Sequence, residues 1–274
     1  MSIAAYLDGA WRDFIDNQLA PFAPIPVYLA IGNHELILPK TRQDVVAQFA
    51  DWFDAPSIRE QRLRDNPQDA AVHTYYHWLR DGIDFITLDN ASPDEFDAAQ
   101  MSWLSNLLKR DAGDSSLRAL VVGMHEALPQ SISSNHSMDQ SAQGEQSGRQ
   151  AYQWLLDFKT NSHKPVYVLA SHSHFYMNGI FNTDFWRNNG GVLPGWIIGT
   201  AGAERYVLPP NSGDAKEAKT RVYGYLLATV DSSKDDPIHF EFRELQESDV
   251  PGSVVGRYTQ AIVHDCWVNN PAPK

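Results

Sequence analysis

Two periodicities of hydrophobic positions predict helices and strands along this chain. Apolar residues recur at steps of three and four over residues 2–20, which predicts an amphipathic helix. Short apolar runs bounded by proline, glycine or polar residues instead predict buried strands. Helices are predicted over residues 2–20, 42–53, from 92 onward, and 148–160. Strands are predicted over residues 27–31, 73–79, 83–89, 117–124, 165–170, 175–181, 195–200, 221–230 and 237–244.

Two stretches between these elements are polar and show little periodicity. Residues 54–70 are predicted to be irregular. Residues 129–148 are rich in Ser, Gln, Asn and Gly, which predicts a long surface loop of the kind that often carries function. The chain contains no internal repeat and nothing that resembles an interdomain linker, so a single domain over residues 1–274 is expected.

The order of the predicted elements indicates the fold class. Strands and helices alternate up to residue 170, and mostly strands follow. This order predicts an α/β fold built as a layered sandwich. A hydrophobic content of 43% over 274 residues is enough for a sizeable core.

The charge and the cysteine content exclude several classes of function. A net charge of −12 argues against broad nucleic-acid binding and against adsorption to anionic membranes, because both need a positive field. An anionic substrate remains compatible, since a bound metal ion reverses the local potential. The single cysteine, Cys266, excludes an internal disulfide and a CxxC metal site. No apolar run approaches the ~20 residues of a membrane span, and residues 1–14 do not match a signal peptide. The sequence does not indicate a protein partner.

Polar side chains directly follow three of the predicted strands. The three strand ends read Gly-Asn-His-Glu at 32–35, Gly-Met-His-Glu at 123–126, and Ser-His-Ser-His at 171–174. In an open α/β sheet, ligands bind at the carboxyl ends of the strands, where loops distant in sequence converge. A lone histidine after a strand is usually unremarkable, but three such ends together predict a metal site. His172 and His174 strengthen it, because residues i and i+2 of an extended segment face the same side.

With these motifs the sequence resembles the calcineurin-like metallophosphoesterase family. The resemblance rests on "IPVYLAIGNHEL" (25–36), a single histidine at a later strand end, and the final "HSH" (172–174). The segment "GWIIGTAGAERY" (195–206) also resembles the region that follows the last histidines in such enzymes. The resemblance implies a metallophosphoesterase-like α/β/β/α sandwich, and hydrolysis of a phosphate ester by a water molecule that two metal ions activate.

The resemblance also implies roles for individual residues. Asn33, His125 and His172 would bind one metal ion, and His174 would bind the other. His34 would be the catalytic imidazole near the leaving-group oxygen, as an acid or as a stabiliser of transition-state charge. Glu35 is expected to cap the backbone or to hold another ligand in place. Mixed imidazole, amide and carboxylate ligands suit Zn, Fe or Mn better than Ca.

Two further residues are weaker candidates for contacts with the substrate. His136 lies in the predicted loop at 129–148, which is a candidate for covering the site. Arg205 follows a run of small residues and would reach a phosphate oxygen, although an arginine in a loop is more often solvated. The substrate itself does not follow, because phosphomonoesters, diesters, nucleotides and phosphoproteins all fit one metal centre. The acidic charge mildly favours a small substrate over nucleic acid.

The sequence departs from the family pattern in two places. Its last motif begins with Ser171 where the family usually has glycine, which is a small change. The family also opens with an Asp-x-His strand end and then a Gly-Asp strand end whose aspartate bridges both metal ions. Neither motif precedes Gly32, and residues 2–20 resemble the helix that follows them in the family. The chain is therefore expected to begin after the missing motifs, to lack the first strands, and to have little or no activity alone.

Two alternatives use the same residues. In the first, the chain is a non-catalytic domain of this fold that binds one metal ion weakly through Asn33, His125 and His172, or binds a protein. The missing bridging aspartate favours this alternative, whereas the retained His34 favours an enzyme. The second is a single-zinc hydrolase built on His125, His172 and His174, which would be insensitive to substitution of Asn33.

The nucleotide sequence upstream of the Met1 codon tests whether the start is misplaced. We expect the same reading frame to encode Asp-x-His and then Gly-Asp within roughly a hundred codons. An in-frame stop codon before those motifs would contradict this expectation, and the site would then be incomplete as made.

Overall fold

The computed structural model describes residues 3–133, 135–231 and 233–269, which form two β-sheets with helices packed around them. The helices are α1 (Ile3–Phe14), α2 (Arg42–Gln48), α3 (Ala50–Phe53), α4 (Pro56–Asp65), α5 (Ala98–Gly113), α6 (Ala142–Ser162), α7 (Asp184–Asn188), α8 (Gly252–Tyr258) and α9 (Gln260–Asn269). The strands are β1 (Tyr76–Arg80), β2 (Ile83–Thr87), β3 (Ala119–Gly123), β4 (Val166–Ala170), β5 (Tyr176–Asn178), β6 (Gly195–Ile198), β7 (Glu217–Lys219), β8 (Tyr223–Val230) and β9 (Ile238–Leu245). Within these ranges, no helix is both long and apolar enough to cross a bilayer.

The larger sheet has seven strands in the order β1-β2-β3-β4-β6-β5-β7. Strands β2, β3, β4 and β6 run parallel, and antiparallel strands flank them on both sides. The central strands β3 and β4 are continuous apolar runs and are almost entirely buried, as parallel strands covered on both faces should be. The predicted α/β class is therefore confirmed.

Each face of the large sheet is covered by a different layer. On one face, Leu120 and Val122 of β3 pack in a buried cluster with helices α5 and α6. On the other face, Ala119 and Val121 pack in a cluster that contains Ile238 of the β8–β9 hairpin. Because successive side chains of a strand point to opposite faces, the one apolar run of β3 serves both layers. Helices, the large sheet and the hairpin therefore stack in the predicted layered arrangement.

The predicted strand at residues 27–31 is wrong. No strand in the described part of the chain forms a backbone ladder with this segment. Side chains of the edge strand β1 hold it instead: Tyr28 stacks on Trp78 with ring centroids 3.8 Å apart, and the Tyr76 hydroxyl donates to the Leu29 carbonyl at 2.6 Å. The segment also packs in an apolar cluster with helices α1 to α4. Burial alone explains the apolar run, whereas a strand also needs a partner with free backbone groups.

The predicted loop at 129–148 is also partly wrong, because helix α6 begins at Ala142. Ser141 caps this helix by accepting a hydrogen bond from the Gly144 N–H at 2.8 Å. A Cβ at Gly144 would lie 2.3 Å from the Asp94 carbonyl oxygen, so glycine is required there by close packing. The glycine and serine content that predicts a loop reflects a tightly packed helix start.

Other elements differ from the sequence-based prediction for local reasons. Residues 54–70, predicted to be irregular, contain helix α4, whose highly charged sequence shows no clear apolar face. The predicted helix at 42–53 is interrupted at Phe49, which separates α2 from α3. The elements that were not predicted at all are β7, α7, α8 and α9.

A buried cluster of charges joins the β1–β2 hairpin to helices α4 and α5. The Nδ1 atom of His77 lies 2.8 Å from both carboxylate oxygens of Asp84, and its Nε2 atom lies 2.5 Å from Asp65. Arg110 pairs with Asp65 at 2.6 Å. Burial alone would lower the pKa of His77, but hydrogen bonds to the two carboxylates outweigh it and raise the pKa to about 9. Burial and a hydrogen bond to Asp84 raise the pKa of the Asp111 carboxyl.

This cluster makes the free energy of unfolding depend on pH. The folded chain keeps the His77 proton up to about pH 9, whereas the unfolded chain loses it near pH ~6.5. The contribution of His77 to the free energy of unfolding is therefore fully present below pH ~6.5. It falls by about 3 kcal/mol as the pH rises to about 9. The raised pKa of Asp111 acts in the same direction. Urea unfolding at pH 6.5 and pH 9 measures the difference, and equal stability at both values would contradict the assignment.

Candidate metal centre

Backbone hydrogen bonds continue between β3 and β4 beyond the last residue of each strand. The Met124 N–H donates to the Leu169 carbonyl at 2.9 Å, and the Ser171 N–H donates to the His125 carbonyl at 3.0 Å. The Ser171 hydroxyl lies 3.4 Å from the same carbonyl, so serine fits this position. Because parallel strands end at one edge of the sheet, this ladder brings the following residues together. The rings of His125 and His172 consequently have centroids only 4.4 Å apart.

Asn33 reaches the same edge from a different part of the chain. It begins a short 3₁₀ turn, Asn33–Leu36, and its Oδ1 atom accepts a hydrogen bond from His125 Nε2 at 3.0 Å. Glu35 accepts a hydrogen bond from the Gly32 N–H at 2.8 Å, which is the capping role predicted for it. A Cβ on Gly32 would lie 2.9 Å from His125 Cε1, so glycine permits this close approach.

His172 has a strained backbone and lies beside the buried side chain of Glu126. Its φ of +37° lies in the left-handed region, which costs a non-glycine residue about 1 kcal/mol or more. The prediction that residues 171–174 are extended is therefore wrong at this position. Glu126 is 2% exposed, and its Oε1 atom lies 3.4 Å from His172 Nε2. Its Oε2 atom is buried and has no hydrogen-bond partner among the described residues.

His174 is oriented by a backbone carbonyl. Its Nδ1 atom lies 2.6 Å from the carbonyl oxygen of Glu204. Since a carbonyl only accepts hydrogen bonds, Nδ1 carries the proton and Nε2 keeps its lone pair when the ring is neutral. The ring also stacks on Tyr206 with centroids 4.3 Å apart. An imidazole fixed in this tautomer is prepared to bind a metal ion through Nε2.

His136 joins the group from the segment that precedes α6. Its ring centroid lies 4.7 Å from that of His172 and 5.2 Å from that of Tyr206. The structure therefore brings this candidate substrate-binding residue to the edge where the other histidines meet. A contact between His136 and a substrate stays a prediction.

Arg205 has contacts that the sequence analysis did not anticipate. Its side chain is buried and donates to the carbonyls of Arg221 at 3.1 Å and Trp267 at 2.5 Å. Its guanidinium also lies 4.8 Å from the ring centroid of Tyr223. These contacts fasten helix α9 to β8. The expectation of a solvated loop arginine is wrong, and these contacts give no support to a role in phosphate binding.

The electrostatic environment keeps these imidazoles neutral. Burial, reinforced by the neighbouring imidazoles, lowers the pKa of His125 to about 4 and that of His172 to about 3. Burial also lowers the pKa of His174. A neutral imidazole binds a metal ion without first losing a proton, so these rings are suited to be ligands at neutral pH.

Asn90, which the sequence analysis missed, holds the His125 backbone in place. It lies just beyond β2 and is fully buried. Its Oδ1 atom accepts hydrogen bonds from the N–H groups of His125 at 3.2 Å and Glu126 at 3.0 Å. Its Nδ2 atom donates to the Glu126 carbonyl at 2.9 Å. The signal was a polar residue directly after the predicted strand at 83–89, at a strand end without a histidine.

The donor atoms at this edge are of kinds that bind transition-metal ions. Throughout the described ranges, no group of three His, Cys, Asp or Glu side chains is placed to hold a metal ion. An amide oxygen completes a set of a different kind, because Asn33 Oδ1 lies 3.0 Å from His125 Nε2. That separation is close to the ~3.3 Å between two ligands of a tetrahedral zinc ion. Asn33 with neutral His125 and His172 is thus a donor set that suits Zn, Fe or Mn.

Comparisons with known proteins bear on the chemistry of this edge. A family model described as Metallophos, calcineurin-like phosphoesterase, matches residues 6–176, more than half of the chain. A purple acid phosphatase from yellow lupin (Lupinus luteus) seeds is 14% identical, with a TM-score of 0.44, over 62% of this chain and 30% of its own. The structure of PhoD is 12% identical, with a TM-score of 0.43, over 83% of this chain and 55% of its own. This chain therefore spans less than two thirds of either structure, and no curated protein matches it.

In the metal-free chain at pH 7.5, two histidines of the candidate site are expected to be neutral, whereas the buried His77 is expected to be protonated. His125 and His172 should be neutral, with pKa values of about 4 and 3, whereas His77 should be protonated up to about pH 9. Long-range ¹H–¹⁵N NMR spectra of chelator-treated protein distinguish the two states for each ring. Titration of His125 or His172 near pH ~6.5 would contradict the burial argument.

Proposed function

The chain belongs to the calcineurin-like phosphoesterase family, and on this basis we propose that it hydrolyses a phosphate ester at the edge formed by Asn33, His125 and His172. Members of this family are metal-dependent phosphoester hydrolases. The observation that carries the specific site is the 3.0 Å contact between Asn33 and His125, which are 92 residues apart in sequence. Two polar side chains from distant parts of the chain meet there beside a third, His172.

Asn33, His125 and His172 are the proposed ligands of one metal ion, and His174 is the proposed ligand of a second. Bound metal ions would polarise the phosphoryl oxygens and lower the pKa of water. Glu126 would orient His172 through their 3.4 Å contact, and the Glu204 carbonyl orients His174. Partners of this kind fix the ring and its tautomer, so each imidazole presents one defined nitrogen.

We assign the other two candidate histidines, His34 and His136, to contacts with the substrate. In the proposed reaction, a water molecule loses a proton to the solvent and its oxygen forms a bond to phosphorus, while the bond from phosphorus to the alcohol oxygen breaks. His34 is exposed in the same turn as Asn33, and its protonated ring would give a proton to the departing oxygen. The alcohol then leaves as a neutral molecule. His136, whose ring is 4.7 Å from that of His172, would donate a hydrogen bond to the phosphate.

We further propose that residues 1–274 act as a single domain with weak or no turnover alone. A two-metal mechanism needs both ions, and His174 is the one residue assigned to the second ion within the described part of the chain. A non-catalytic metal-binding domain is the second candidate, and the same ligand set supports it. A single-zinc hydrolase based on His125, His172 and His174 differs from both because it does not use Asn33.

Metal binding by single-residue variants separates these functions. We expect N33A, H125A and H172A each to weaken Mn²⁺ or Zn²⁺ binding at least ~10-fold, because each removes one ligand of the same ion. H239A is the matched control, since His239 is an exposed histidine on β9. Isothermal titration calorimetry on chelator-treated protein measures the affinities.

The pattern of losses and the rate of hydrolysis decide between the candidates. If N33A binds metal normally while H174A does not, the single-zinc arrangement replaces the proposed one. Hydrolysis of p-nitrophenyl phosphate and of bis(p-nitrophenyl) phosphate compares monoester with diester substrates. Metal-dependent hydrolysis of either ester supports the hydrolase over the non-catalytic domain, whereas metal binding without hydrolysis is expected of the non-catalytic domain and of a hydrolase with no turnover alone. Equal metal affinity in all variants would refute the site.

A further inference from the structure

A cavity of about 400 Å³ lies directly beside His34. Helix α1 and the segment at 29–37 form two of its walls, and α2 and α3 contribute to a third. Its volume lies within the usual range for pockets that hold small organic ligands. The cavity is distinct from the metal-binding edge itself, but Glu35 borders both, and His34 lies within electrostatic range of His125 and His172.

The cavity walls are largely apolar and aromatic. Phe49 packs edge-on against Trp11 at 5.8 Å and against Phe14 at 6.2 Å, measured between ring centroids. Leu29 and Ile31 line the opposite side. Arginine and lysine are both absent from the lining. A phosphate group would lose its hydration there without gaining a cation, so the cavity suits an uncharged apolar group.

One buried polar atom in the lining has no partner. Trp11 is 4% exposed, and its indole Nε1 atom makes no hydrogen bond with any described residue. Lys40 lies over the same ring at 4.6 Å and contributes a positive charge to its face. An unpaired buried donor is costly, and native proteins leave few of them. This N–H group is buried rather than exposed to the cavity, so it is not a contact for a ligand there.

We propose that this cavity binds the alcohol half of the substrate, and that this half is aromatic or otherwise apolar. The inference rests on the proposed function, because it takes His34 as the group that meets the leaving oxygen. With the phosphate at the Asn33 edge, the alcohol extends past His34 into the adjoining cavity. The site thereby selects aryl or similarly hydrophobic phosphate esters over sugar phosphates.

Binding of the free alcohol, without metal and without turnover, tests the cavity separately from the reaction. The probes are 2-naphthol and 2-methylnaphthalene, which differ by a hydroxyl in place of a methyl group. We expect 2-naphthol to bind the full chain with a stoichiometry of one. 2-Methylnaphthalene should bind with a similar affinity, because the largely apolar lining gives both probes the same contacts.

Two cavity-filling variants and one matched control locate the ligand. Ala10 and Gln18 are exposed residues that line the cavity, so A10W and Q18W fill it from the surface without disturbing a buried position. Each should weaken 2-naphthol at least tenfold. R12W is the control, since Arg12 is exposed on the same helix and does not line the cavity.

The outcomes separate this inference from the proposed function. No binding of 2-naphthol, or binding that A10W and Q18W leave unchanged, overturns the cavity assignment and leaves the hydrolase proposal standing. A ligand that resists both variants would sit elsewhere, for example in the larger apolar groove between β8 and helices α8 and α9. Conversely, normal 2-naphthol binding with no metal binding overturns the proposed function and leaves the cavity.

Discussion

A single backbone hydrogen bond, from the Ser171 N–H to the His125 carbonyl, sets the geometry on which the candidate site depends. It extends the parallel ladder of β3 and β4 past the ends of the strands, so the two histidines that follow are positioned by the sheet itself. Asn90, just beyond the end of β2, accepts hydrogen bonds from the N–H groups of His125 and Glu126, on either side of that carbonyl. The central imidazoles are therefore partly buried groups held by the sheet, and the remaining candidate residues come to them on turns and loops.

The charge of a buried histidine in this chain is decided by its partners. His77 and His125 are both poorly hydrated, which by itself favours the neutral ring in each case. Two carboxylates surround His77 and reverse that preference, whereas His125 has further imidazoles as neighbours. The same residue type thus serves as a structural cation in the edge strand β1 and as a neutral donor just beyond β3. In an acidic protein, a positive potential for phosphate must then come from bound metal.

Much of this arrangement could be predicted from sequence, because the signals were local. The continuous apolar runs of β3 and β4 identified the sheet centre, and the histidines that follow them identified the edge where the candidate residues meet. The failures occurred where tertiary contacts override local pattern. Residues 27–31 have the composition of a strand, yet side chains rather than a ladder hold them. Gly144 suggests a loop, but its missing Cβ makes room for another backbone.

Asn90 and Arg205 show a further limit, because their roles depend on groups distant in sequence. Nothing local to Asn90 indicates that its amide will bond both the N–H and the carbonyl of a residue 36 positions later. Arg205 lies close to the last histidines in sequence, but its guanidinium reaches carbonyls 16 and 62 positions away. Residue type and spacing identify which groups meet at an edge, whereas buried polar networks must be seen in three dimensions.

The way residues 27–31 are held has a consequence for how a metal ion would be taken up. His125 and His172 are fixed by the hydrogen-bonded sheet, whereas the segment leading to Asn33 has no backbone ladder within the described ranges and is anchored mainly by aromatic contacts. Such a segment opens locally at a lower free-energy cost than a central strand does. Two of the proposed ligands would thus be preorganised and the third would be recruited. The entropy lost on ordering one short segment would then make the binding free energy of the ion less favourable. Affinity for the metal ion would then depend on how tightly Tyr28 stacks on Trp78, far from any coordinating atom.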